Sequence, residues 1–223
     1  MDLSRLPSVS EVYGEAGSGR TSFCLAMASP EPSLWIQKFP RFPSARALSV
    51  QLDLEEVFVS QTHSVNRLLH AFRSGEVSVF VRDHGIRLIV INTLSDFFYA
   101  AKGSSGFCVA LVQELKRLYT AQGVKSLLIS DGMPIKRILS GFIPVSSSVA
   151  WNYALPARFL VSKSEHTGEV AVTLEKPAFQ ALPAQNLKIL SNKVLVLSKD
   201  QGDQDFETTA QAPGALHWEH FQT

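Results

Sequence analysis

Apolar and polar positions along the chain alternate between strand-like and helix-like spacing, and the order of the segments predicts a parallel α/β sheet. "VSEVY" at 9–13 sets Val9, Val12 and Tyr13 around Glu11 and predicts a short strand. A glycine-rich turn follows, and "TSFCLAMA" at 21–28 has helix-compatible composition that stops before "SPEP". "SLWIQ" at 33–37 predicts a second strand; the "KFPRFP" after it is a loop, because Pro40 and Pro43 lack the N–H that a central strand donates. "EVFVS" predicts a third strand. In "HSVNRLLHAFRSG" the spacing of Val65, Leu68, Leu69 and Phe72 is that of one helix face, with Ser64 as N-cap and Gly75 just beyond the end.

A second short amphipathic segment leads to "IRLIVIN" at 86–92, an uninterrupted apolar run of the kind that parallel strands buried on both faces require. A periodic helix is predicted over 107–122, with Phe107, Leu111, Leu115 and Leu118 on one side, and Gly123 ends it. "VKSLLIS" is the next buried strand. The C-terminal third then changes character. "ARFLVSKSEHTGEVAVTLEKP" predicts two strands about a polar turn containing Gly168, and "NLKILSNKVLVLS" a second hairpin about Ser191 and Asn192. The sheet is expected to finish antiparallel. A core domain is expected over 1–198, followed over 199–223 by a polar tail of little periodicity, read as flexible or partner-dependent.

Composition narrows the function classes. With 45% hydrophobic and 18% charged residues in a chain of 223, one globular domain is the simplest count. A formal net charge of +1 supplies no global field toward nucleic acid or an acidic membrane, so any such contact must be local. Cys24 and Cys108 both fall in predicted helices without metal-ligand spacing, which favours a reducing compartment. No apolar run approaches the roughly 20 residues of a membrane span, so an intracellular, soluble protein with no membrane partner is expected.

The candidate chemistry lies in "GEAGSGRT" at 14–21. The phosphate-loop (Walker A) pattern GxxxxGK[ST] needs glycines that let backbone N–H groups wrap a phosphate, a lysine for its charge, and a hydroxyl for magnesium. Gly14, Gly17, Ser18, Gly19 and Thr21 fit that pattern, and Arg20 stands at the lysine position. Taken alone, the same residues also suit a glycine-rich strand-to-helix turn with no ligand.

With "VSEVYGEAGSGRTSFCLAMA" as first strand and loop, "RLIVINTLSDFFYAA" as a buried strand and its sequel, "LKRLYTAQGVKSLLIS" as the next helix and strand, and terminal hairpins, the chain resembles the RecA-like ATPase core. It looks most like the eukaryotic strand-exchange recombinases and their paralogues. The likeness spans about 6–197 and rests mostly on patterning. It implies a three-layer α/β P-loop core, mainly parallel with C-terminal antiparallel hairpins.

Four departures qualify what the resemblance implies. The phosphate-contacting lysine falls on Arg20, a larger planar fork. The aspartate that helps to hold magnesium falls on Asn92, which is neutral and otherwise suits a strand-end residue bonded to neighbouring backbone. The water-activating glutamate falls at Phe39, with no carboxylate over 37–45, and the γ-phosphate sensor falls near Gly132, beside Asp131. Together they remove the cation ligand, the base and the sensor from a reaction that depends on positioning and charge stabilisation.

The resemblance therefore implies a nuclear, non-catalytic accessory subunit of homologous recombination. It would bind another recombinase paralogue or the recombinase itself and support its filament on single-stranded DNA, with either ATP and Mg2+ or no cofactor at the turn. An ATP-dependent DNA-binding ATPase completed by a partner's groups stays open as the alternative, as does a RecA-like regulator outside recombination. The family's two DNA loops would lie near 100–106 and 132–152, offering Lys102, Lys136, Arg137 and Phe142 as contacts. These four also suit solvated loop charges and a core-covering ring. Phe97, Phe98 and Tyr99 are expected to pack core or a partner, and Trp151 and Tyr153 to be structural. In the tail, Trp218 and Phe221 are candidate partner anchors. His217 and His220 lack the further ligands of a metal site, so none is expected.

Overall fold

The computed structural model describes residues 3, 6–28, 31–38, 42–49, 52–101, 105–134, 142–144, 149–164, 170–176, 186–190 and 193–197. The parallel strands are β1 (Val9–Gly14), β2 (Ser33–Gln37), β3 (Val57–Gln61), β4 (Leu88–Asn92), β5 (Lys125–Pro134) and β7 (Ala157–Lys163). They lie in the order β3-β2-β4-β5-β1-β7, and the sheet continues antiparallel through β8 (Val170–Lys176), β9 (Asn186–Leu190) and β10 (Lys193–Leu197). A three-residue β6 (Phe142–Pro144) pairs antiparallel with the end of β5. The α/β class, the largely parallel sheet and the antiparallel finish all follow from the hydrophobic pattern.

Strand burial explains that legibility. Every residue of β1, β2 and β4 is buried, as strands covered on both faces must be. Successive residues then feed two separate cores. Ile89 and Ile91 pack with Leu34, Ile36 and Leu128 on one face. Leu88 and Val90 pack with Trp35, Leu127 and Ile129 on the other. The first face is covered by α3 (Val65–Arg73), α4 (Glu76–Asp83), α5 (Leu94–Ala100), α6 (Ser105–Gln122) and α7 (Val149–Ala154). The second is covered by α1 (Arg20–Ala28) and α2 (Ser44–Ser49). The result is three layers.

Local chemistry sets the helix ends. Ser64 Oγ accepts the Arg67 N–H at 3.2 Å, so the expected N-cap of α3 is the observed one. Gly75, at φ +84°, leaves α3 in the left-handed conformation and leads directly into α4.

Two features depart from the reading of the sequence. "LSDFFYA" forms α5, whose N-cap Thr93 Oγ1 accepts the Asp96 N–H at 3.3 Å; Phe97 is buried in the core and Tyr99 is exposed. Of the segment assigned to a second DNA loop, 132–134 end β5, 142–144 form β6 and 149–152 open α7, and its other residues lie outside the described ones. Within α7 the expectation of two structural aromatics splits. Trp151 is fully buried, but Tyr153 is 84% exposed and supports no core.

Candidate functional site

The parallel strands present their C-terminal ends along one rim. In the sheet register Gly14 of β1 lies opposite Asp131 of β5, and Gln37 of β2 lies between Asn92 of β4 and Gln61 of β3. The chain runs from β1 to strands on one side and later returns to β7 on the other, so β1 lies at a switch in direction. The crevice outside the carboxyl ends at such a switch is where open α/β sheets take ligands.

The glycine turn stands at that point. Gly14 is the one residue that fits at the end of β1, because a Cβ there would lie 2.0 Å from the Val161 carbonyl oxygen of the neighbouring strand. Gly17 and Gly19 hold φ of +81° and +100°, the left-handed region in which side chains are strained. Ser18 N–H donates to Glu15 O at 3.2 Å within the turn, and Phe23 N–H makes the first helical bond, to Gly19 O at 2.9 Å. The N–H groups of Arg20, Thr21 and Ser22 thus have no acceptor inside α1. Ser18 Oγ is buried beside Gly14 and lacks a hydrogen-bond partner among the described residues.

Arg20 does not point its charge outward. Its Nη1 donates to the Ser130 carbonyl and, at 2.7 Å, to Asp131 Oδ1. The Arg20 side chain is 11% exposed and that of Asp131 44%, which places the guanidinium inside and the carboxylate at the mouth. Asp131 is held from behind, since its N–H donates to Ser95 Oγ of α5 at 2.7 Å. The cation of the turn is therefore already neutralised by this chain's own acid.

On the same strand rim, Asn92 and Gln37 are both buried and both neutral. Asn92 precedes a cis peptide to Thr93. These donors do not make a site for a magnesium-bound triphosphate. Asn92 offers no charge to the cation, and the Asp131 carboxylate is engaged by Arg20.

The structure brings Gly14, Gly17, Ser18, Gly19, Arg20 and Thr21 together in one turn and sets Asn92 on the same strand rim. Of the DNA candidates, Lys102, Lys136 and Arg137 lie outside the described residues, and the Phe142 backbone opens the three-residue β6. Trp218 and Phe221 also lie outside the described residues, as does the whole 199–223 tail. Sequence reasoning missed what Asp131 does, although "Asp131" was adjacent to the sensor position. The register that pairs it with Gly14 was the signal, and it becomes visible only once β5 is placed beside β1.

A second polar cluster lies three residues before the loop and was also missed. Glu11 of β1, fully buried, accepts from Arg158 Nε at 2.8 Å and from Trp151 Nε1 at 3.1 Å, both at Oε2. Arg158 Nη2 donates to Asn152 Oδ1 at 2.8 Å, so one guanidinium ties β7 and α7 to the central strand. Tyr13, two residues on, donates its O–H to Glu175 Oε2 at 2.5 Å. Burial, and then that bond, push its phenol well above the ordinary value.

A cleft of about 560 Å³ between the start of α3 and the junction of α5 with α6 shares no residue with the turn or with Glu11. Among the described residues no helix is long and apolar enough to cross a membrane. Neither the models of known protein families nor the curated proteins contain a match to this chain.

Proposed function

We propose that this chain is a RecA-like accessory subunit that works by binding rather than by chemistry. In this reading it docks on another recombinase paralogue or on the strand-exchange recombinase, in the nucleus, and supports its filament on single-stranded DNA during homologous recombination. The observation that carries the non-catalytic part is the Arg20–Asp131 pair at 2.7 Å. A turn with the form of a phosphate loop directs its one cation into its own sheet, while Asn92 leaves the magnesium position neutral. Phosphoryl transfer is catalysed by charges aimed at the transferring group, and a loop in this arrangement aims none.

The recombination assignment is supported by the resemblance of the parts and by their order: a first strand with its glycine turn and helix, a buried fourth strand, and hairpins closing the sheet. A core kept without its catalytic set still offers the faces on which such subunits stack. Fold alone does not assign function, so partner identity decides.

The deciding experiment is a tagged pull-down from DNA-damaged cells of the source organism, nuclease-treated to remove DNA bridging and read by mass spectrometry. Recovery of a recombinase or one of its paralogues is the expected result. A folded bait that recovers other proteins and no recombination factor overturns the recombination assignment. ATP turnover distinguishes the enzymatic alternative, because magnesium-dependent hydrolysis by the isolated chain, abolished by Arg20→Ala, overturns the non-catalytic reading.

A further inference from the structure

The turn at 14–21 has the requirements of an anion site in its backbone. Gly17 and Gly19 are left-handed, the N–H groups at the start of the nine-residue α1 lack intrahelical acceptors, and Ser18 Oγ is buried beside Gly14 with no partner among the described residues. Ser130 Oγ, next to the carbonyl that accepts Arg20, is likewise fully buried and without a partner among the described residues. The cation expected to face an incoming phosphate is bound to Asp131 instead.

The position of this carboxylate is fixed by two ordered elements. The β1–β5 register sets Asp131 opposite Gly14, and the bond from its N–H to Ser95 Oγ ties it to α5. A Cβ on Gly132 would meet the Gly14 backbone at 2.8 Å, so the end of β5 lies against the turn itself. A phosphate approaching the turn has two courses: displace the Asp131 carboxylate from Arg20, or lie next to it as a like charge.

We infer that Asp131 is a built-in anion that occupies Arg20 and excludes nucleotide phosphates, so that the turn keeps its shape without a nucleotide. Asp131 is thus the specificity-determining residue of the turn, discriminating against polyphosphate. The inference rests on reading 14–21 as a phosphate loop and extends it: any partner contact made by this part of the chain is independent of the ATP level.

The test uses the full chain and a fluorescent N-methylanthraniloyl-ATP with magnesium, with circular dichroism and thermal melting confirming that each variant is folded. Wild type is expected to show no tight binding; a wild-type Kd below about 10 μM overturns the inference. Asp131→Asn keeps the shape and removes the charge, and it is expected to bind at least tenfold more tightly than wild type. Asp131→Ser carries the same expectation if the amide disturbs the turn. The gain should vanish in Arg20→Ala/Asp131→Asn. A folded Asp131 variant with no gain, or a gain that survives loss of Arg20, overturns the inference. Partner recovery in the pull-down does not enter this titration, so the failure of one leaves the other standing.

Discussion

Arg158 Nε lies 2.8 Å from Glu11 Oε2 inside the α3–α7 face of the sheet, with the carboxylate fully buried and the arginine side chain 12% exposed. Trp151 Nε1 bonds the same oxygen, and Arg158 also reaches Asn152, so β1, β7 and α7 share one charged knot. Removing one partner strands the other charge away from water, at a cost of about 3–5 kcal/mol. Glu11→Leu and Arg158→Met are each expected to destabilise by that amount in urea unfolding. The double variant should recover part of the loss, because no unpaired charge remains. Strict additivity of the two losses would show that the pair is not coupled.

Gly14 and Gly17 belong to one turn but should respond differently to alanine. At Gly14 the added carbon would lie 2.0 Å from the Val161 carbonyl oxygen, a backbone atom that cannot move without parting β1 from β7. At Gly17 the space is open and the cost is only that of a left-handed residue, about 1–2 kcal/mol. Gly14→Ala is therefore expected to lower the melting temperature well beyond Gly17→Ala. Equal shifts in differential scanning fluorimetry would contradict the close approach of the two strands.

The sheet was legible because its strands announce themselves. "LIVIN" and "SLWIQ" are buried over their whole lengths and appear as β4 and β2, and the hairpins follow from alternation about polar turns. The strand-to-helix turn at 14–21 was equally plain from its glycines. Helix α5 escaped because seven residues hold too few turns for a period to show, and "DFFYA" reads as an aromatic run until Thr93 is seen capping it. The Arg20–Asp131 pair escaped for another reason. Its members are 111 residues apart, and only the β1–β5 pairing brings them together. Glu11 was readable as a strand residue, but nothing near it in sequence names Arg158 as its partner.

Within α7, Trp151 and Tyr153 make a paired test of that packing. Trp151 is fully buried and bonded to Glu11, so Trp151→Ala should lose about 3–5 kcal/mol in chemical denaturation. Tyr153 is 84% exposed, and Tyr153→Ala should stay within about 0.5 kcal/mol of wild type. A large loss at Tyr153 would mean that α7 is turned the other way on the sheet.

Alkaline pH should weaken the fold through three buried acids. Burial raises the Cys24 thiol far above its ordinary 9.0, with the Arg20 charge opposing, and pushes Cys108 up to about 12, helped by the Glu11 carboxylate. Tyr13 is raised above its ordinary 10.0 in the same direction. As pH climbs past 9, the unfolded chain releases protons that the folded chain still holds, so each group's contribution is intact below its ordinary value and declines above it. The slope approaches about 1.4 kcal/mol per pH unit for each group in its window. Urea midpoints measured at about pH 7, 8 and 10.5 should be similar for the first two and clearly lower for the third. The same burial predicts that a thiol reagent at pH 8 modifies neither Cys24 nor Cys108 in the native protein and both in urea. A flat stability profile to pH 10.5, or rapid native labelling, would show that these side chains reach solvent.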